Sequence, residues 1–113
     1  MPVKIEIDEG ERKLTAHIMG DIDHHSASEI REEIDFEAER LRPELMILDF
    51  SEVTFMDSSG IGLVMGRYKA AKAYGGKITV LGASSQIKKV MKLAGLERLA
   101  SIEGDRNEAN ADS

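Results

Sequence analysis

Asp57, Ser58 and Ser59 stand in a row between an apolar stretch ending at Phe55-Met56 and the glycine-spaced run Gly60-Ile61-Gly62. Serine hydroxyls at a strand-to-helix junction can cap the helix, attack a substrate, or accept a group such as phosphate. Spacing separates these chemistries. A nucleophile elbow needs glycines two before and two after the serine, but Ser58 has Met56 before it, and Ser59 is flanked at those positions by Asp57 and Ile61. Gly60, Gly62 and Gly66 miss the dinucleotide fingerprint by one position, and no Gly-Lys-Ser or Gly-Lys-Thr completes a phosphate loop. Neither covalent catalysis nor nucleotide hydrolysis is expected here. Capping by Asp57 or Ser58, worth ~1 kcal/mol, uses one side chain of the three. The redundancy, with glycines at 60 and 62 stripping the first helical turn of bulk, points to a place where another molecule approaches the backbone closely.

Asp23-His24-His25 is the second constellation, and it matches the three-letter signature of a class of metal-dependent phosphoesterases. A metal centre needs three or four ligands brought together, and the remaining histidine, His17, falls on a predicted strand. The expectation is therefore no metal site and no cofactor, with the Asp23 loop serving as helix start or contact surface. Lys88, Lys89 and Lys92 are expected on a solvated helix face, and the methionines in the core.

These residues must be positioned by a chain of 113 residues with 42% hydrophobic and 32% charged residues and no cysteine, which is the composition of one globular domain. With three Phe, two Tyr and no Trp there is no aromatic platform for stacking bases, and a net charge of −6 disfavours nucleic acid and anionic membranes as partners. The N-terminus is charged too early for a signal peptide, and no apolar run approaches the ~18 residues of a span, so a cytoplasmic location is expected.

Alternation of Val3, Ile5 and Ile7, then of Leu14, Ala16 and Ile18 beyond Gly10, predicts an antiparallel hairpin. After a polar loop, Gly20 to His25, the Ser26-x-x-Glu29 spacing predicts a capping box and a helix carrying Ala27, Ile30, Ile34, Ala38 and Leu41 until Pro43. Leu45 to Phe50 reads as a buried strand, and Ile61, Val64, Met65, Tyr68 and Ala71 as the apolar stripe of a second helix closing at Gly75-Gly76. Lys77 to Gly82 is a further strand. Ser84 or Ser85 then caps a third helix bearing Ile87, Val90, Met91 and Ala94, and Leu99 to Ile102 forms a last short strand. The predicted order β-β-α-β-α-β-α is an α/β domain over residues 1–102, a mixed sheet of four to five strands with helices packed on it. Residues 103–113 read as an acidic disordered tail.

Taken together, Gly20-Asp21-Ile22-Asp23-His24-His25, Phe55 to Gly62 and Gly66-Arg67-Tyr68-Lys69 resemble the STAS-domain anti-sigma factor antagonists, and specifically their sporulation branch, over Val3 to Ile102. The resemblance implies a binding module that is not an enzyme. It implies that the unmodified form binds an anti-sigma factor, itself an ATP-dependent serine kinase, and so frees a sigma factor. It implies phosphorylation at Ser58, release, and resetting by a serine phosphatase. The partner-binding face it implies comprises Asp21, Asp23, His24 and His25 with Asp57, Ser58, Ser59, Gly60, Ile61 and Gly62. A monomer is expected, because three helices covering the sheet leave no apolar face over. A STAS regulator of a general-stress pathway, a domain sensing a nucleotide or small ligand, and a metal-dependent hydrolase using His24 and His25 are the competing readings.

Overall fold

A computed structural model describes residues 2–104, with side chains described through residue 102. Strands β1 (Val3–Asp8) and β2 (Lys13–Ile22) form the expected antiparallel hairpin, registering Val3, Ile5 and Ile7 against Ile18, Ala16 and Leu14. Its turn is closed by the Asp8 carboxylate, which accepts the Glu11 N–H at 3.1 Å. Strands β2, β3 and β4 are each followed by a helix, in the order α1 (His24–Leu41), β3 (Leu45–Met56), α2 (Ser58–Lys72), β4 (Lys77–Ala83), α3 (Ser85–Leu93), a short 3-10 turn, and β5 (Ser101–Gly104). The helical crossovers make the pairs β2/β3, β3/β4 and β4/β5 parallel, in a five-stranded sheet ordered β1-β2-β3-β4-β5.

Alternation along the strands separates two faces. Leu14, Ala16, Ile18, Met46, Leu48, Phe50, Ile78 and Val80 lie on the face buried beneath the helices, in one core with Ile30, Ile34, Val64, Ile87, Met91 and Leu96. The opposite face is open, and His17 there bridges three strands, its Nδ1 2.7 Å from Asp49 Oδ2 and its Nε2 2.8 Å from Glu6 Oε1. Asp49 above all, with Glu6, raises the His17 pKa. Burial pushes the Asp49 carboxyl up, but its bonds from Ser51 and His17 outweigh that and leave it lowered.

Several expectations are corrected by long-range pairing. β3 continues through Met56, and β2 runs to Ile22, because Ile22 pairs with Met56 after register shifts at His17/Met19 and Gly20/Asp21. Gly20, with φ of 81°, supplies the left-handed conformation this irregularity needs. The stretch assigned to a loop, Gly20 to His25, is therefore strand, cap and helix. In α2 the buried stripe is Gly60, Leu63, Val64, Arg67 and Ala71, while Ile61, Met65 and Tyr68 are half-buried. In α3 only Ile87 and Met91 are buried. The last strand lies two residues later than expected, and residues 105–113 of the expected tail are outside the described residues. Phe36 on α1 and Leu93 on α3 are 73% and 84% exposed. Among the described residues no helix is long and apolar enough to cross a membrane.

Candidate functional site

The parallel pairing of Ile22 with Met56 ends β2 and β3 side by side, and each strand passes through one aspartate into a helix. The Asp57 N–H donates to the Ile22 carbonyl at 3.1 Å, tying the second junction to the first. Crevices outside the carboxyl ends of parallel strands are where such sheets bind their ligands.

At the first junction the N-cap is Asp23. Its Oδ1 accepts the Ser26 N–H at 2.8 Å, and its own N–H donates to Ser26 Oγ at 3.0 Å. The capping box is thus Asp23 with Ser26, three residues earlier than the expected Ser26-Glu29 box, because strand pairing holds the chain up to Ile22 and the first good cap beyond it starts the helix. The Ser26 backbone N–H above all holds the Asp23 carboxyl below its ordinary pKa. Ser26 Oγ also donates to the Asp21 carbonyl at 2.9 Å, and the Asp21 carboxylate accepts the Thr54 hydroxyl at 2.7 Å. This junction is knit together.

At the second junction Asp57 is the N-cap, its Oδ1 accepting the Ser59 N–H at 2.7 Å. Of the two capping options left open by the sequence, Asp57 takes the role and Ser58 is spared it. Ser58 is the first residue of α2 and is exposed, and among the described residues nothing engages its hydroxyl. Ser59 is half-buried. The two glycines differ. A Cβ on Gly60 would stand 2.1 Å from Met56 Cγ and 2.3 Å from its Sδ, so Gly60 is required by packing and not, as expected, to admit a visitor. Gly62 is exposed, with nothing within 4 Å of a Cβ, and does leave the backbone approachable.

The histidines are not brought together. His17 lies on the open sheet face, exposed His25 pairs with Glu29 at 3.2 Å, and His24 lines a groove between α1 and α2. That groove, of about 490 Å³, runs along His24, Ser28 and Arg31 on one side and Ser59, Gly62 and Arg67 on the other. Arg67, whose role the sequence did not reveal, is 6% exposed and faces Asp35 with Nε 2.8 Å from Oδ1. Burial raises the Asp35 pKa in spite of this pairing, and burial lowers that of Arg67. The available signal was a cation on the Leu63-Arg67-Ala71 stripe, at helical spacing among apolar residues.

A family model described as the STAS domain matches residues 4–109. The chain is 31% identical to the anti-sigma F factor antagonist of Paenibacillus polymyxa, over 98% of this chain and 93% of that one. It is 28% identical to the anti-sigma-B factor antagonist of Bacillus subtilis (strain 168), over 90% and 92% of the two chains. Its fold superposes on the anti-sigma factor antagonist SpoIIAA in its unphosphorylated form with a TM-score of 0.73 at 26% identity, covering 97% of this chain and 94% of that one. On the phosphorylated form of the Bacillus cell fate determinant SpoIIAA the TM-score is 0.72 at 28% identity, covering 97% of each chain. With the order of elements, the paired aspartate caps and the exposed serine after the second of them, these likenesses agree with the motifs read from the sequence: the chain belongs to the STAS-domain family, in its group of anti-sigma factor antagonists.

Proposed function

We propose that this protein is a sporulation anti-sigma factor antagonist that binds, in its unmodified state, an anti-sigma factor with serine-kinase activity, and that phosphorylation of Ser58 ends the complex. The observation that carries this reading is the free, exposed hydroxyl of Ser58 beside a cap already made by Asp57. The kinase transfers the γ-phosphoryl group of ATP to Ser58 Oγ, ADP leaves, and the hydroxyl proton passes to a base of the kinase. A serine phosphatase later hydrolyses the ester and restores the binding form. The chain supplies no catalytic group of its own, works in the cytoplasm, and presents Asp21, Asp23, His24 and His25 together with the start of α2 to its partner.

The physics of the junction supports a switch of binding without a change of fold. A phosphate adds about −1.5 to −2 charges at a helix N-terminus, where free amides and the helix dipole favour an anion by ~0.3–1 kcal/mol. Because Asp57 and not Ser58 caps α2, modification displaces no hydrogen bond of the cap. A partner fitted to a neutral hydroxyl meets bulk and a second negative charge beside Asp57, and a penalty of ~3 kcal/mol weakens binding more than a hundredfold.

The test is intact-mass spectrometry after incubation with ATP and the anti-sigma kinase of the same organism, with fragmentation to locate the phosphate. One phosphate on Ser58, absent from Ser58→Ala, is the expected result, and binding without any phosphate would overturn the reading. The likeness to the anti-sigma-B factor antagonist favours a second reading, in which the same switch serves a general-stress sigma factor. Phosphorylation by the stress-pathway kinase in preference to the sporulation kinase would decide for it.

A further inference from the structure

Strand β1 lies at one edge of the sheet and borders an apolar groove. The Met19 N–H donates to the Pro2 carbonyl at 2.8 Å, which fixes the phase of the β1/β2 ladder. Lys4 and Glu6 therefore turn their main-chain groups towards His17 and Thr15 of β2, whereas Val3, Ile5 and Ile7 turn theirs to the unpaired edge. Beside that edge, between β1 and α1, runs a groove of about 760 Å³ whose apolar wall is Val3, Ile5, Met19 and Phe36. Ile30, Ile34 and Ala38 of α1 are buried in the core, but Phe36 is left outside it on this flank. The rim of the groove is acidic, with Glu32, Glu33 and Glu37 against Lys4. Arg40 pairs with Glu37 at 2.7 Å, and among the described residues no ion pair engages Glu32 or Glu33. On the open face of the same strand Glu6 and Asp8 are exposed.

We propose that the edge of β1 and this groove together receive an extended segment of a partner protein in which apolar residues alternate with lysine or arginine. Added to the five-stranded sheet as a further strand, the segment takes up the outward N–H and C=O groups of Val3, Ile5 and Ile7. Successive side chains of a strand point to opposite faces. The apolar ones then cover Val3, Ile5 and exposed Phe36, and the basic ones fall beside Glu6 and Asp8. Charge selects this occupant over a second copy of the chain. Two copies joined at β1 would bring their acidic rims together, and each carries a net charge of −6. No residue lining the groove belongs to the face at the two helix starts, so its occupation is independent of the state of Ser58 and of the reading built on it.

The test is an NMR titration of the full chain with a capped synthetic peptide of alternating valine and lysine, beside its valine–glutamate counterpart. Shift changes are expected at the amides of Val3, Ile5 and Ile7 and along the Phe36 flank of α1, with hydrogen exchange of those three amides slowed about tenfold. The glutamate peptide is expected to bind at least about tenfold more weakly. Phe36→Ser should weaken binding of the lysine peptide about fivefold at an unchanged melting temperature, since the ring is exposed in the free protein. Leu93→Ser removes a comparably exposed apolar side chain from α3 and should stay within about twofold of the wild type, as should Ser58→Asp. Unperturbed Val3, Ile5 and Ile7 amides at millimolar peptide, equal affinity for the two peptides, or an indifferent Phe36→Ser would overturn the proposal. So would a dimer in light scattering whose β1 amides shift with protein concentration in the absence of peptide, since the edge would then belong to a second copy.

Discussion

The starts of α1 and α2 are built from nearly the same parts and end in different states. Each follows a parallel strand, each is capped by an aspartate accepting a backbone N–H in the first turn, and each carries a serine close behind. At α1 the hydroxyl of Ser26 is consumed, accepting from the Asp23 N–H and donating to the Asp21 carbonyl. At α2 the cap is complete without Ser58, whose hydroxyl faces solvent. The difference lies in position relative to the cap. Third in the helix, Ser26 folds back onto Asp23 to close a reciprocal box, whereas Ser58 directly follows its cap and has no orphan N–H within reach. A serine at a helix start is thus a structural element in one case and a free hydroxyl in the other.

The largest expected effect separates the two serines by charge. Ser58→Asp should weaken binding to the anti-sigma kinase more than a hundredfold, with a melting temperature close to that of the wild type, because an anion at the start of α2 suits the helix dipole. An unfolded Ser58→Asp would show that this junction, like the other, is structural. Next come the glycines of the second junction. Gly60→Val should cost ~2 kcal/mol in denaturant unfolding through its collision with Met56, partly relieved by Met56→Ala. Gly62→Val should leave stability nearly unchanged and slow phosphorylation of Ser58, since it adds bulk only where the backbone is approachable.

A smaller effect reverses the comparison. Ser26→Ala should lower stability by ~1 kcal/mol and leave phosphorylation of Ser58 intact, while Ser58→Ala should abolish phosphorylation and change stability by less than ~0.5 kcal/mol. The smallest concerns protons. The Asp23 carboxyl titrates below its unfolded value, so its contribution is present above the unfolded pKa and lost as pH falls through the folded one. Carboxyl resonances followed by NMR in acid should place Asp23 below ordinary aspartates. Ser26→Ala should move it only part of the way back, because the Ser26 N–H remains. A full return to the ordinary value would mean that the hydroxyl, and not the backbone, holds the charge.

How much of this was legible followed from the range of the interactions. In the segment Asp57 to Gly62 a helix cap and the approachable Gly62 were readable as local features of consecutive residues, whereas the choice between Asp57 and Ser58 as cap and the packing role of Gly60 were not. The stripe of α1 was readable for the same reason, as Ile30, Ile34 and Ala38 are buried where their spacing places them. Misplacing the first cap by three residues had a long-range cause. Both Asp23-Ser26 and Ser26-Glu29 have the right spacing, and the pairing of Ile22 with Met56, 34 positions away in the chain, selects between them.

By itself the sequence determined the order of elements, the apolar stripe of α1, and a serine-bearing motif recognisable as the family's, because periodicity, capping chemistry and family resemblance are all carried by neighbouring residues. Only the tertiary structure decided which hydroxyl is free, why Gly60 is glycine, and that Arg67 is buried against Asp35. Each of these depends on what a side chain meets across the gap between two elements, and the strand register that sets such meetings is fixed by the packing of the whole sheet.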